Sequence, residues 1–327
     1  ASNLVFNGGT LQYTGSNPSF VQFTQTPSVS TDRLFTLAGN GSIDSSGAYG
    51  NNTLGAAVAN NAALVFANTG AVAFAGTGAR TLTLAGNSTG DNEIRLALGD
   101  LASGSLLSVV KTGAGQWLLT GNNTYSGSTT VSGGILQVGS NGVGLTLNGT
   151  LVLNAGTLQA SGTLYRTFGI GAGSISFGAS GGGFAASGTN LKVNLSGSLT
   201  LGTGYAPGST LILNSPTAVG DVDFLSAIDL GSTSTTRTFQ IDDNINTAFD
   251  FATISGSISG VSGVLLNKTG AGNLILSGSN TYSGTTQISA GALIVRSIGG
   301  GVGTTSNLGS SGSLWLGNTA VGGALLY

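Results

Sequence analysis

Two lysines in glycine-rich surroundings are the residues of this chain whose setting most resembles a chemical site. Lys111 and Lys268 each open the run Lys-Thr-Gly-Ala-Gly, at 111–115 and 268–272. Glycine-rich loops with a lysine cradle phosphate, because bare backbone N–H groups and an ammonium can converge on one anion. Here the order is wrong: the lysine precedes the glycines, and no helix follows whose N-terminus could hold the anion. The run therefore reads as a structural turn, with the lysine stem lying over the outside of the fold.

Carboxylates and aromatic rings offer two further chemistries. The close acidic pairs are Asp221/Asp223, Asp242/Asp243 and Asp91/Glu93, and a glycosidase needs two carboxyls facing each other across a groove. Asp221 and Asp223 would share one face of a strand, yet no pair clusters with arginine and lysine, and the chain has no histidine. Tyr125, Tyr282 and Trp117 could stack on sugar rings. Because tyrosine follows Asn-Thr at the same place in both copies of a repeated block, a role in covering a corner of the core is favoured. There is no cysteine and no Gly-Gly-x-Gly-x-Asp calcium run. No catalytic, cofactor or metal residue is assigned, and no enzyme is expected.

The elements that position these residues are set by repetition. Residues 111–138 and 268–295 are identical at 17 of 28 positions, at an offset of 157 residues (268 minus 111). Around them the alignment extends without a gap over 79–138 and 236–295, and Gly8 to Tyr13 resembles Gly322 to Tyr327 at twice that offset. A fixed period marks an architecture built by stacking. The residues singled out as structural repeat positions are Lys111, Gly113, Gly115, Asn123, Tyr125 and Gly127 in one copy, and Lys268, Gly270, Gly272, Asn280, Tyr282 and Gly284 in the other.

Composition points the same way. Charged residues are 6% of 327, and glycine fills 58 positions, against roughly 25% and 7% in ordinary soluble domains. Apolar residues still make up 40%, in short alternating runs such as Thr81 to Leu84 and Thr210 to Leu213, closed by Gly/Asn turns. Such runs predict strands. Weak helical patterns occur only at Asn92 to Leu101 and Ala56 to Ala63. A net charge of −2 without a basic stripe leaves nucleic acid and anionic lipid without an electrostatic driving force. No apolar run approaches the ~18 residues of a spanning helix.

The run Lys-Thr-Gly-Ala-Gly-x-x-x-Leu-x-Gly-x-Asn-Thr-Tyr-Ser-Gly-x-Thr, at 111–129 and 268–286, resembles the passenger-associated transport repeat of bacterial autotransporters, also called the autotransporter-associated β-strand repeat. That resemblance implies a right-handed parallel β-helix, export across an outer membrane and display or release at the cell surface.

The expectation is an all-β right-handed parallel β-helix (β-solenoid) over 1–327, of roughly fifteen coils. Coils of about 20–25 residues would stack at ~4.8 Å into a rod of the order of 70 Å, in units 14–170 and 171–327, with 1–13 ending a preceding unit. Asn-Thr pairs at 123–124 and 280–281 would continue the hydrogen bonding along the axis. The expected role is a structural extracellular fibre or spacer that continues, or assembles with copies of itself, end to end. The absence of an initiator methionine and the matching phase of the two ends fit a piece of a longer array. A rival reading is an adhesin that binds glycans or other surface proteins through excursions at Asn17 to Asp32 or Asp221 to Asp250. A second is a β-helix carbohydrate-active enzyme using Asp221 and Asp242.

Overall fold

Alternating apolar and polar residues fold as strands that bury every second side chain, and this chain does so almost wherever the alternation occurs. A computed structural model describes residues 4–14, 28–46, 62–102, 104–139, 147–203, 210–231, 235–298, 306–310, 312–317 and 322–327. The named strands pair in parallel, and no helix occurs among the described residues. The protein is an all-β parallel β-helix.

Two compact units emerge, Ala1–Ser140 with Thr146–Val152, and Asn141–Leu145 with Leu153–Tyr327. In the first, successive coils contribute the strands Thr10–Tyr13, Gly41–Ser45, Arg80–Ala85, Leu107–Lys111 and Thr129–Val131 to one wall. The register stacks Leu11, Ile43, Leu84, Lys111 and Val131 in a single file. A second wall stacks Thr31, Phe66, Ile94, Leu119 and Val138. Phe6, Phe35 and Phe66 meet edge to face inside, with centroids 5.5 and 5.7 Å apart, the arrangement their ring quadrupoles favour.

The second unit repeats this plan. Leu211, Phe239, Lys268, Ile288 and Leu316 form one file, and Leu164, Val193, Phe224, Ile254, Leu276 and Val295 form another. A short third wall stacks Leu199, Ile228 and Ile258. In one file of each unit a member of the core is a lysine.

Coil length departs from the expected 20–25 residues. Ile43 pairs with Leu84, 41 residues on, and Leu84 with Lys111, 27 on, whereas Lys111 pairs with Val131 only 20 on. The 20-residue coil is the one that holds Asn123 to Tyr125, where the N–H groups of Thr124 and Tyr125 both donate to the Leu98 carbonyl of the coil before and turn the chain in a tight corner.

Two sequence expectations are corrected here. Asn92 to Leu101 is not helical: Asn92–Ile94 is a strand held by its place in the second wall, and weak helical periodicity yields to that pairing. Of the other helical candidate only Ala62 and Ala63 lie within the described residues. Asp221 to Asp250 is no excursion, since it holds the strands Val222–Phe224, Ile228–Asp229 and Thr236–Ile241, with 242–250 a loop at its end. The excursion at Asn17 to Asp32 falls largely outside the described residues, apart from the strand Val29–Thr31.

Candidate functional site

Strand phase decides where the lysine goes. In Leu107–Lys111 the buried residues are Leu107, Val109 and Lys111, so the third inward position is the ammonium-bearing one. Lys111 and Lys268 are buried, at 0% and 1% exposure, and the expectation of a stem lying over the outside is overturned by this phase. An isolated ammonium in an apolar file would be costly unless fully hydrogen-bonded. The glycine turn that follows solves this. Lys111 Nζ donates to the carbonyls of Thr112 and Gly113 at 2.7 Å each and to Gly133 of the next coil at 3.1 Å. Lys268 Nζ donates to Thr269, Gly270 and Ala290 at 2.9, 2.8 and 3.0 Å. All three N–H bonds of each ammonium are used, one of them on the neighbouring coil. Burial pulls each lysine down to about 8, and Asp242 opposes this at Lys268.

Gly113 and Gly270 carry the turn at φ of 72° and 76°, a left-handed conformation that side chains with a Cβ resist. Gly115 and Gly127 are required for a different reason. A Cβ on Gly127 would lie 2.2 Å from the carbonyl oxygen of Leu107, and one on Gly115 2.3 Å from that of Ser88. Gly284 and Gly272 face Val264 and Asp242 in the same way, at 2.1 and 2.6 Å. The absent side chain is what lets adjacent coils close.

Asn123 binds the preceding coil. Its Oδ1 accepts from the N–H of Leu98 at 3.1 Å, while the N–H groups of Thr124 and Tyr125 donate to the Leu98 carbonyl. Asn280 does the same to Ile258 at 2.7 Å, and its Nδ2 donates to Asn307 of the following coil. Hydrogen bonding is thus continued between coils, but from asparagine to backbone rather than from asparagine to asparagine. Tyr125 and Tyr282 are buried, with their hydroxyls 2.8 Å from Thr129 and Thr286. Burial pushes the Tyr282 phenol up to about 12. Trp117 is buried as well, donating from Nε1 to Ala85 at 2.9 Å. None of the three presents a ring face for a sugar.

Five of the six carboxylates in the close acidic pairs are engaged by the fold. Asp221 accepts from Phe251 N–H, Asp223 from Ser255 Oγ, Asp242 from Gln240 and Asp91 from Gln116, and Glu93 pairs with Arg95 at 2.8 Å. Most of these partners lie on the next coil. Sequence reasoning missed two further cations of the same kind. Arg80 Nη1 donates to Thr77, Gly78 and Ala79 and Nη2 to Ala75, and Arg237 Nε donates to Leu230. Their signal was present, since both stand at the 157-residue offset beside a glycine-rich turn.

The match between copies is in the register itself. Lys111 pairs with Val131 and Gln116 with Ile135; Lys268 pairs with Ile288 and Asn273 with Ala292, each an equivalent position. One coil earlier the equivalence slips. Lys111 lies beside Leu84, but Lys268 lies beside Phe239 rather than Ile241. The gapless alignment over 79–106 and 236–263 therefore does not carry into the stacking, and a two-residue slip preserves which face is inward.

This is a parallel β-solenoid carrying a twice-used coil clamp, and the clamp defines its class. Residues 109–138 and 266–295 each match the passenger-associated-transport-repeat family model, so the chain carries autotransporter passenger repeats and is a secreted, cell-surface segment. It is 34% identical over 163 residues to the adhesin BmaC autotransporter of Brucella suis biovar 1 (strain 1330). That stretch is 48% of this chain and 4% of the relative, so the chain spans a small part of that protein's length. No solved structure matches.

Proposed function

We propose that this segment is a structural, non-catalytic stretch of a surface-displayed passenger, a rod-like spacer whose repeat blocks clamp successive coils. One observation carries the reading. In both blocks the groups able to do chemistry, an ammonium, a tyrosine hydroxyl and an asparagine amide, are buried and hydrogen-bonded within the fold. The engaged Asp221 and Asp242 support the non-enzymatic part. Limited proteolysis of the whole chain tests the clamp. Cleavage should spare 107–138 and 264–295, and the double variant Asn123→Ala/Asn280→Ala should open both segments. Polysaccharide turnover by the purified chain that vanishes in Asp221→Ala or Asp242→Ala would reverse the reading.

The same proposal extends to partners. A clamp used twice with one register fits a longer array of the same chain, or copies joined end to end. Sedimentation over a hundredfold concentration range should reveal association of copies, and a concentration-independent monomer would confine the array to covalent continuation. A second reading, adhesion, is favoured by the similarity to an adhesin. Its surface would be the loop 242–250, where Ile245 and Phe249 are exposed at 88% and 75% on a turn braced by Asp250 and Asn244. Cell binding that survives Ile245→Ser/Phe249→Ser would exclude that loop.

A further inference from the structure

Aromatic chemistry is absent from the repeat blocks but present elsewhere on the second unit. The strands Thr157–Phe168 and Gly182–Ser196 pair over much of their length, with Tyr165 opposite Asn194 and Thr167 opposite Ser196. Alternation buries Leu164, Arg166, Val193 and Leu195, so Tyr165, Thr167, Asn194 and Ser196 project from the outer face. Tyr165 is 70% exposed, on an otherwise well-packed wall. These residues, Gly173 and the largely buried Arg166 line a groove of about 200 Å³. Gly173 stands at φ 74° with nothing within 4 Å of the Cβ it lacks, which leaves the rim open.

The lining decides the ligand class. It combines one aromatic face with an amide, two hydroxyls and Arg166, which is only 6% exposed and already engaged within the fold, and contains no carboxylate. A ligand that fits must offer an apolar C–H face to the ring and hydroxyl groups to the neighbouring side chains. The volume is below the ~300 Å³ at which sites for drug-sized ligands begin, so one ring is accommodated rather than an extended molecule. A pyranose meets each condition. An apolar peptide side chain would leave Asn194 and Ser196 without partners in the contact, at a cost in affinity.

We propose that the outer face around Tyr165, with Asn194, Ser196 and Thr167, is a binding site for a neutral pyranose unit of a glycan. Tyr165 supplies the stacking platform, and Asn194 hydrogen-bonds the ring hydroxyls. This site is independent of the spacer reading, since the coil clamps lie elsewhere in the chain.

The test uses the whole chain on an array of oligosaccharides ending in neutral hexoses, N-acetylhexosamines or uronic acids, with a tyrosine-containing peptide as comparison. Binding to a neutral terminal sugar is expected. It should weaken about tenfold or more in Tyr165→Ala, the loss of one well-placed contact of ~1.4 kcal/mol, weaken in Asn194→Ala, and persist in Tyr165→Trp. Because Tyr165 is exposed, circular dichroism of Tyr165→Ala should match the parent chain. Absence of sugar binding, binding unchanged in Tyr165→Ala, or preference for the peptide would each overturn the proposal. Loss in Tyr165→Trp equal to that in Tyr165→Ala would overturn the stacking role.

Discussion

Replacing Gly127 by alanine should pry two coils apart without touching any charge or any apolar contact. The added Cβ would stand 2.2 Å from the Leu107 carbonyl oxygen, where contacts below 3.0 Å are essentially never found. Relief requires the coils to separate locally by roughly 1 Å, because the obstacle is backbone and cannot rotate away. At that separation the bond from Val109 N–H to Ser128, 2.9 Å in the parent, and that from Ser128 N–H to Ser108 Oγ, 3.2 Å, pass beyond hydrogen-bonding range. Each net bond is worth about 0.5–1.5 kcal/mol, and the buried groups left bare add to this, so the cost is about 2–4 kcal/mol. Urea unfolding followed by tryptophan fluorescence measures it. Trp117 is buried at 1% exposure in the first block, and Trp315 lies beside Gln287 of the second at 55%, so a Gly127→Ala transition is read through Trp117. Gly284→Ala, which faces Val264 at 2.1 Å, should cost a similar amount. Gly9→Ala is the control, with nothing within 4 Å of the new Cβ. An unfolding midpoint for Gly127→Ala indistinguishable from that of Gly9→Ala would refute the close-approach argument.

Lys111 and Lys268, held at about 8 in the fold against 10.5 when free, lose their protons in the native state first. Between pH 8 and 10.5 the unfolded chain binds more protons, so urea midpoints should rise with pH across that window, by at most about 3 kcal/mol per lysine. Lys111→Met/Lys268→Met should flatten the rise. Tyr282, raised from 10 to about 12, acts in the opposite sense: its contribution is complete below pH 10 and declines toward pH 12. Ultraviolet titration should show one tyrosinate forming last, and Tyr282→Phe should remove it. Asn123→Ala leaves the Leu98 N–H without its acceptor and should cost about 1–3 kcal/mol, measurable as faster amide hydrogen exchange at Leu98.

How far the sequence reached is clearest at the lysines. Their recurrence beside glycine turns was legible, and so was the parallel stacking, because period-two alternation and a fixed long offset both survive folding. The inward direction of Lys111 was legible too, through Leu107 and Val109 four and two residues before it, but lysine's usual place on the surface outweighed that phase. Coil length was not legible. It depends on how much chain each coil spends away from the two paired walls, which is short where the Asn-Thr-Tyr corner turns it. The slip between Leu84 and Phe239 as lysine neighbours has the same origin, since two residues moved through a turn leave every side chain on its proper face.

The clamp addresses its neighbours almost wholly through their peptide groups. Lys111 and Lys268 seek carbonyls, Asn123 and Asn280 seek an N–H, and Gly127 and Gly284 need only a smooth stretch of main chain beside them. Every residue except proline offers those groups alike. A block of this kind can therefore be copied into a new place in a gene and find what it needs on either side, whatever side chains it meets there. That indifference makes the block portable, and lets a passenger be lengthened or shortened by recombination while each junction still folds.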